Sequence, residues 1–165
     1  MRKAMAILLI LLPAILLCAC GQKKDPETAP ATEKAASEIT SEEETKMEKK
    51  LVMSINGTGI NVQWEDNESV SALKDSVREA PLTIAMSMYG GFEQVGPLGM
   101  DLPRTDVQMT TDPGDIVLYS GDQIVVFYGS NSWAYTKLGR MTDLLAEELE
   151  DLLGNHDITI TLEMQ

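Results

Sequence analysis

The 165-residue chain carries 26 acidic against 13 basic side chains, a formal charge of −13 at pH 7. Residues 51–165 hold five cations (Lys74, Arg78, Arg104, Lys137 and Arg140) among eighteen acids, which excludes a nucleic-acid partner, since that needs a basic face, and argues against lying flat on anionic lipid. One histidine and two cysteines are too few for a transition-metal site or a histidine-centred hydrolase, so neither a metal nor a cofactor is expected.

Arg2 and Lys3 precede an apolar run from Ala4 to Leu17, broken only by Pro13. The run has the length of a signal-peptide core and falls short of the ~20 residues that span a bilayer. It ends in Leu17-Cys18-Ala19-Cys20-Gly21, which looks like a bacterial lipobox with Cys20 as the lipidated residue. Cys18 fits worse, because bulky Leu17 would precede the cut. Residues 1–19 are therefore expected to be a lipoprotein signal peptide. Acylated Cys20 would then anchor the protein on the cell membrane, facing outside the cytoplasm. Gln22 offers no acidic retention signal. Cleavage before Cys20 leaves no free thiol, hence no disulfide and no thiol chemistry. Residues 20–49 read as a disordered tether, with Pro26, Pro30, many charges and no aromatic residue to bury.

Residues 50–165 form one domain of ordinary size. Leu51 to Ile55 and Ile60 to Trp64 are predicted strands about the turn Asn56-Gly57-Thr58-Gly59. Asn67 to Ala80 has helical spacing, with Val70, Leu73 and Val77 on one face and Pro81 as its stop. Strands follow at Leu82 to Met86 and Asp106 to Thr111. Ile116 to Tyr119 and Ile124 to Tyr128 form a hairpin over Ser120-Gly121-Asp122 that reads as buried on both faces. Tyr135 to Leu138 is a short strand. A second helix is expected from about Asp143 to Leu153, presenting Leu145, Leu149 and Leu152, with Gly154 at its C-terminus. The last strand alternates cleanly from Ile158 to Met164. This order predicts a mainly β fold, a closed barrel of about eight strands with two helices.

Seven of the eight aromatic residues fall between Tyr89 and Gly139, so any cleft is expected in that stretch. Arg104 stands out within it as a cation following Leu102-Pro103 at the mouth of a predicted strand. It reads either as a surface ion pair, worth about 0–1 kcal/mol, or as a guanidinium aimed at a ligand amide or carboxylate. Gln108, four residues on, would share its face of a strand. The remaining motifs are negative. His156 lies in a turn, no G-x-S-x-G or P-loop occurs, and Gly90-Gly91 lacks the residues of a phosphate cradle. Carboxylates are plentiful, but no spacing singles out a catalytic pair.

Tyr89-Gly90-Gly91-Phe92-Glu93, Gly96-Pro97-Leu98-Gly99, Leu102-Pro103-Arg104, Pro113-Gly114-Asp115-Ile116 and Phe127-Tyr128-Gly129-Ser130-Asn131-Ser132-Trp133 together resemble the bacterial cyclophilin-like fold family. The resemblance covers residues 50–165 and implies an eight-stranded barrel with two helices. Its better-known relatives, the true cyclophilins, are peptidyl-prolyl isomerases that bind an X-Pro peptide outside the barrel. Rotation of that amide faces a barrier of about 18–20 kcal/mol. The resemblance implies Arg104 and Gln108 as candidate catalytic residues. Phe92, Phe127, Tyr128, Trp133 and Tyr135 would join them as ligand contacts, for a proline-containing peptide or a small ligand. The chain departs from the isomerase pattern in three respects. No Phe and Met lie between arginine and glutamine, that spacing is shorter, and no histidine falls in residues 133–135. A binding module with an aromatic cleft around Arg104 is the first reading and an isomerase for exported proteins the second.

Overall fold

The computed structural model describes residues 49–165. The expected signal peptide, the expected lipidation site Cys20 and all but the last residue of the expected tether lie outside the described residues. Strand β1 (Leu51–Ile55) turns on Asn56 and Gly57 into β2 (Thr58–Ile60). Both turn residues have positive φ, 49° and 83°, the mirror-image turn that Asn-Gly favours and that matches the strand twist. The reversal therefore takes two residues, and Ile55 pairs directly with Thr58. Strand β3 (Val62–Trp64) follows after Asn61.

Helix α1 (Glu68–Ser76) leads to β4 (Leu82–Tyr89), β5 (Glu93–Pro97) and β6 (Val107–Thr110). The hairpin of β7 (Asp115–Tyr119) and β8 (Gln123–Phe127) precedes β9 (Ser132–Met141), α2 (Ala146–Leu153) and β10 (Ile158–Met164). The sheet order is β2-β1-β10-β4-β5-β8-β7-β9-β3, with β6 added on β9. β2 and β3 are separated by one residue, too short a link to reverse the chain. They act as two halves of one bent strand, one half on β1 and the other on β9. The sheet thereby curls back on itself as a barrel with eight ring positions. The strands number ten rather than about eight, because β5 was not anticipated and the second strand is split at Asn61.

The remaining differences have local causes. β9 runs for ten residues where a short strand was expected, because its first half carries β6 and its second half carries β7 and β3. A bulge between Ile116 and Val117 takes up the resulting mismatch with β7. α1 stops at Ser76, whose hydroxyl donates back to the Leu73 carbonyl at 2.7 Å, well short of Pro81. Its start is capped by Asn67, whose Oδ1 accepts from Val70 N at 2.9 Å, a contact worth about 1 kcal/mol. α2 begins three residues later than predicted. Leu145 is extended at ψ 161°, its amide bound by the Glu148 carboxylate at 2.7 Å. Leu145 is consequently 64 % exposed, and the buried face of α2 is formed by Leu149 and Leu153.

Two apolar clusters form on opposite faces of the sheet. The barrel interior takes Met53, Ile55, Ile84, Met86, Ile116, Leu118, Ile124, Val126, Leu138, Ile160 and Leu162, onto which Leu73 of α1 and Leu153 of α2 pack. A smaller cluster of Val117, Val125, Phe127 and Tyr135, with Phe92, Val95 and Met109 against it, occupies the outer face. This second cluster is why β7 and β8 are buried on both faces, as their unbroken apolar runs indicate.

Candidate functional site

The outer face of β4, β5, β8, β7 and β9 carries the site. Pairing sets Tyr89 opposite Glu93, Glu93 opposite Phe127, Val95 opposite Val125 and Val125 opposite Val117. Side chains directly opposite each other in an antiparallel pair share a face, so these residues stand together outside the barrel. Fully buried Phe127 forms the foundation, a ring whose burial stabilises the layer by about 1.5–3 kcal/mol. It meets the edge of Tyr135 at 5.7 Å between ring centroids, and Tyr135 meets Tyr119 at 6.1 Å, both steeply tilted. Two glycines make room for this packing: an added Cβ at Gly90 or Gly129 would collide with Phe92.

Above this foundation lies a cavity of about 360 Å³, at the small end of ligand pockets, which run to about 300–1,000 Å³. Val95 and Val125 form its apolar floor, and Tyr89, Tyr119, Trp133 and Tyr135 form its walls. Trp133 and Tyr89 are 56 % and 68 % exposed, so the rim is open to solvent. Glu93, Gln123 and Asn131 supply the polar groups, and among the described residues neither Lys, Arg nor His contributes to the lining.

Glu93 is the unusual member. It is only 6 % exposed, and among the described residues its Oε2 has no hydrogen-bond partner. Removing a carboxylate from water without a partner disfavours its charged form. Burial accordingly raises the Glu93 carboxyl from 4.5 to about 7. Two phenols, one on each side of the sheet, are shifted as well. Tyr135 and Tyr128 are both raised, first by burial and next by the charge of Glu93. Asn131 is fixed by Thr111, whose backbone amide donates to the Asn131 carbonyl at 2.9 Å and whose Oγ1 accepts from the Asn131 amide at 3.0 Å. So held, Asn131 Nδ2 donates to the Tyr135 phenol oxygen at 3.0 Å. That contact occupies an acceptor position of the phenol and leaves its O–H able to donate to a guest.

The cleft expected around Arg104 is thus built around Glu93. Arg104 is half exposed, pairs with Asp106 at 3.3 Å, and borders a separate polar depression with Glu65, Ser69, Pro103, Thr136 and Lys137. Gln108 is exposed and pairs with Ala134, on the strand face opposite to Trp133 and Tyr135. Arg104 and Gln108 therefore do not meet the aromatic walls. Of the other candidates, Trp133 and Tyr135 line the cavity, while Phe92 and Phe127 pack beneath it. Tyr128 points into the barrel-interior cluster. Tyr89, Tyr119 and Asn131 are additional lining residues. Glu93 had no separate signal in the sequence, being one acid among many. Among the described residues no three His, Cys, Asp or Glu side chains gather as a metal site.

Among solved structures, the chain is similar to the solution structure of a hypothetical protein from Archaeoglobus fulgidus, with 17 % identity, a TM-score of 0.48, and coverage of 72 % of this chain and 95 % of that one. No curated protein matches the sequence. The model of the cyclophilin-like family matches residues 53–163, nearly the whole barrel. The chain belongs to the cyclophilin-like family.

Proposed function

We propose that this domain is a binding module of the cell envelope, which holds a small ligand or a peptide side chain in the aromatic cavity around Glu93. The observation that carries this reading is a nearly buried carboxylate oxygen without a partner, at the base of an open aromatic-walled cavity. A buried polar group left unpaired costs about 1–3 kcal/mol, a cost that a guest able to pair with it would remove. The tether and the lipidated Cys20 read from the sequence would hold the module on a membrane, facing outside the cytoplasm. An isomerase would need Arg104 to reach an amide lying against the aromatic walls, and the ion pair of Arg104 with Asp106 beside another depression favours binding over catalysis.

Titration of the protein with proline-containing peptides, followed by backbone amide resonances, tests the reading. Shifts concentrated at Tyr89, Glu93, Trp133 and Tyr135 are expected for any ligand that enters. Shifts scattered over the barrel, or centred on Arg104, would count against the cavity. A protease-coupled proline-isomerisation assay run beside it should give background rates for both the parent chain and Arg104→Ala. A rate above background that Arg104→Ala abolishes would restore the isomerase reading.

A further inference from the structure

On the reading that the cavity binds a ligand, we infer that the group it takes is an organic cation, a quaternary or protonated ammonium, seated among Tyr89, Tyr119, Trp133 and Tyr135 with the Glu93 carboxylate as counter-charge. Each aromatic ring presents a negative face, and a cation within about 6 Å of the ring centre is attracted to it. Four such rings line one small cavity. Among the described residues, Glu93 contributes the only formal charge on that lining, and it is negative. An anionic guest would meet this carboxylate with no Lys, Arg or His on the lining to offset the repulsion. A neutral apolar guest would seal the carboxylate away from water and leave it unpaired. A cation resolves both problems, since it pairs with Glu93 and lies against the rings. The excess of acids over bases in the domain also draws cations toward its surface.

The same site makes binding depend on pH. Burial holds the Glu93 carboxyl at about 7, so a cation that binds the ionised form expels a proton from the fraction still protonated. Among the described residues, the other titratable groups facing Glu93 are the phenols Tyr89 on β4, Tyr119 on β7 and Tyr135 on β9, while Tyr128, just after β8, points into the barrel interior and lies near enough to feel its charge. Burial raises Tyr128 and Tyr135 above the ordinary phenol value, and the charge of Glu150 acts further on Tyr128. These two phenols stay neutral near pH 7, and affinity for a cation follows Glu93, strengthening as pH rises through 7.

The experiment titrates the full chain, in nonionic detergent, with choline and with its neutral isostere in which a tert-butyl group replaces the trimethylammonium. A third arm uses N-acetyl-lysine amide, separating a free ammonium compound from a cation carried on a peptide. Choline or the lysine derivative is expected to shift resonances at Tyr89, Glu93 and Trp133, with the isostere about tenfold weaker or more. Glu93→Gln keeps the side-chain shape, and Trp133→Leu alters an exposed rim residue. Each should lower cation affinity about tenfold, and affinity should fall several-fold between about pH 8 and about pH 6. Equal affinity for the isostere, or indifference to both substitutions, overturns the cation assignment and leaves a cavity for neutral guests. If neither cation binds while a proline peptide shifts the cavity resonances, the cation assignment fails and the binding reading stands. Silence of the cavity toward every probe overturns both.

Discussion

Glu93 and Gln94, neighbours on β5, send their side chains to opposite sides of the barrel wall and are both buried there. Glu93 faces the aromatic cavity outside, and Gln94 faces the interior, where its Nε2 donates to the carbonyls of Leu153 and His156 at 2.6 and 2.8 Å. One strand therefore serves two purposes. Its outward residue shapes the site, and its inward residue ties down the end of α2 and the turn that follows.

The burial of Glu93 predicts how stability changes with pH. Its folded-state value, about 7, lies above the ordinary 4.5, so between these values the folded state binds more protons than the unfolded one and stability falls as pH rises. Removing the charge should abolish that loss. Glu93→Gln is expected to match the parent near pH 4 and to be more stable near pH 8, by up to about 3 kcal/mol. Urea denaturation at the two pH values measures the difference, and equal gains at both would show that charge is not the cause.

Gln94→Leu should weaken the anchoring of α2. The carbonyls of Leu153 and His156 would lose their shared donor inside the barrel, a cost of about 1–3 kcal/mol. Hydrogen exchange should quicken first at the end of α2 and in residues 154–157, ahead of β7 and β8. Uniform acceleration across the sheet would mean that the substitution acts through general packing.

Gly96 on β5 lies against the interior, where an added Cβ would come within 2.7 Å of Ile84 Cγ2 and 2.9 Å of the Ala85 carbonyl. The second neighbour is backbone and cannot rotate away. Gly96→Val is expected to cost about 1–3 kcal/mol or more, with a matching drop in the thermal midpoint. Gly59, with open space around its Cβ position, serves as the control, and Gly59→Val should change little.

Arg104→Ala is expected to be nearly silent. Its ion pair with Asp106 is half exposed, and such pairs contribute about 0–1 kcal/mol. Thermal unfolding should shift by no more than a few degrees, and ligand shifts at Trp133 should persist. A large loss of binding would return Arg104 to the centre of the site.

Much of the architecture can be read from local patterns. The alternation from Ile158 to Met164, the Asn-Gly reversal after β1 and the apolar face of α1 each follow from a few adjacent residues, because period and turn chemistry act over short range. β5 escapes such reading. Glu93-Gln94-Val95-Gly96-Pro97 has no apolar alternation, and its strand geometry comes from pairing with β4 on one side and β8 on the other. The aromatic stretch from Tyr89 to Gly139 likewise marks where the cavity walls come from, but not the charge at its base.

What the sequence by itself determined is the class of fold, the acidic character and the family, all sums over many residues or short motifs. Which single carboxylate is buried, and which cation is spent on a nearby acid, depends on long-range pairing of strands far apart in the chain. Glu93 and Trp133 share a cavity because β5 pairs with β8, β8 with β7 and β7 with β9. Arg104 is kept from it by Asp106 and the depression beside α1. Burial and pairing are properties of that assembled surface, and only the tertiary structure decides them.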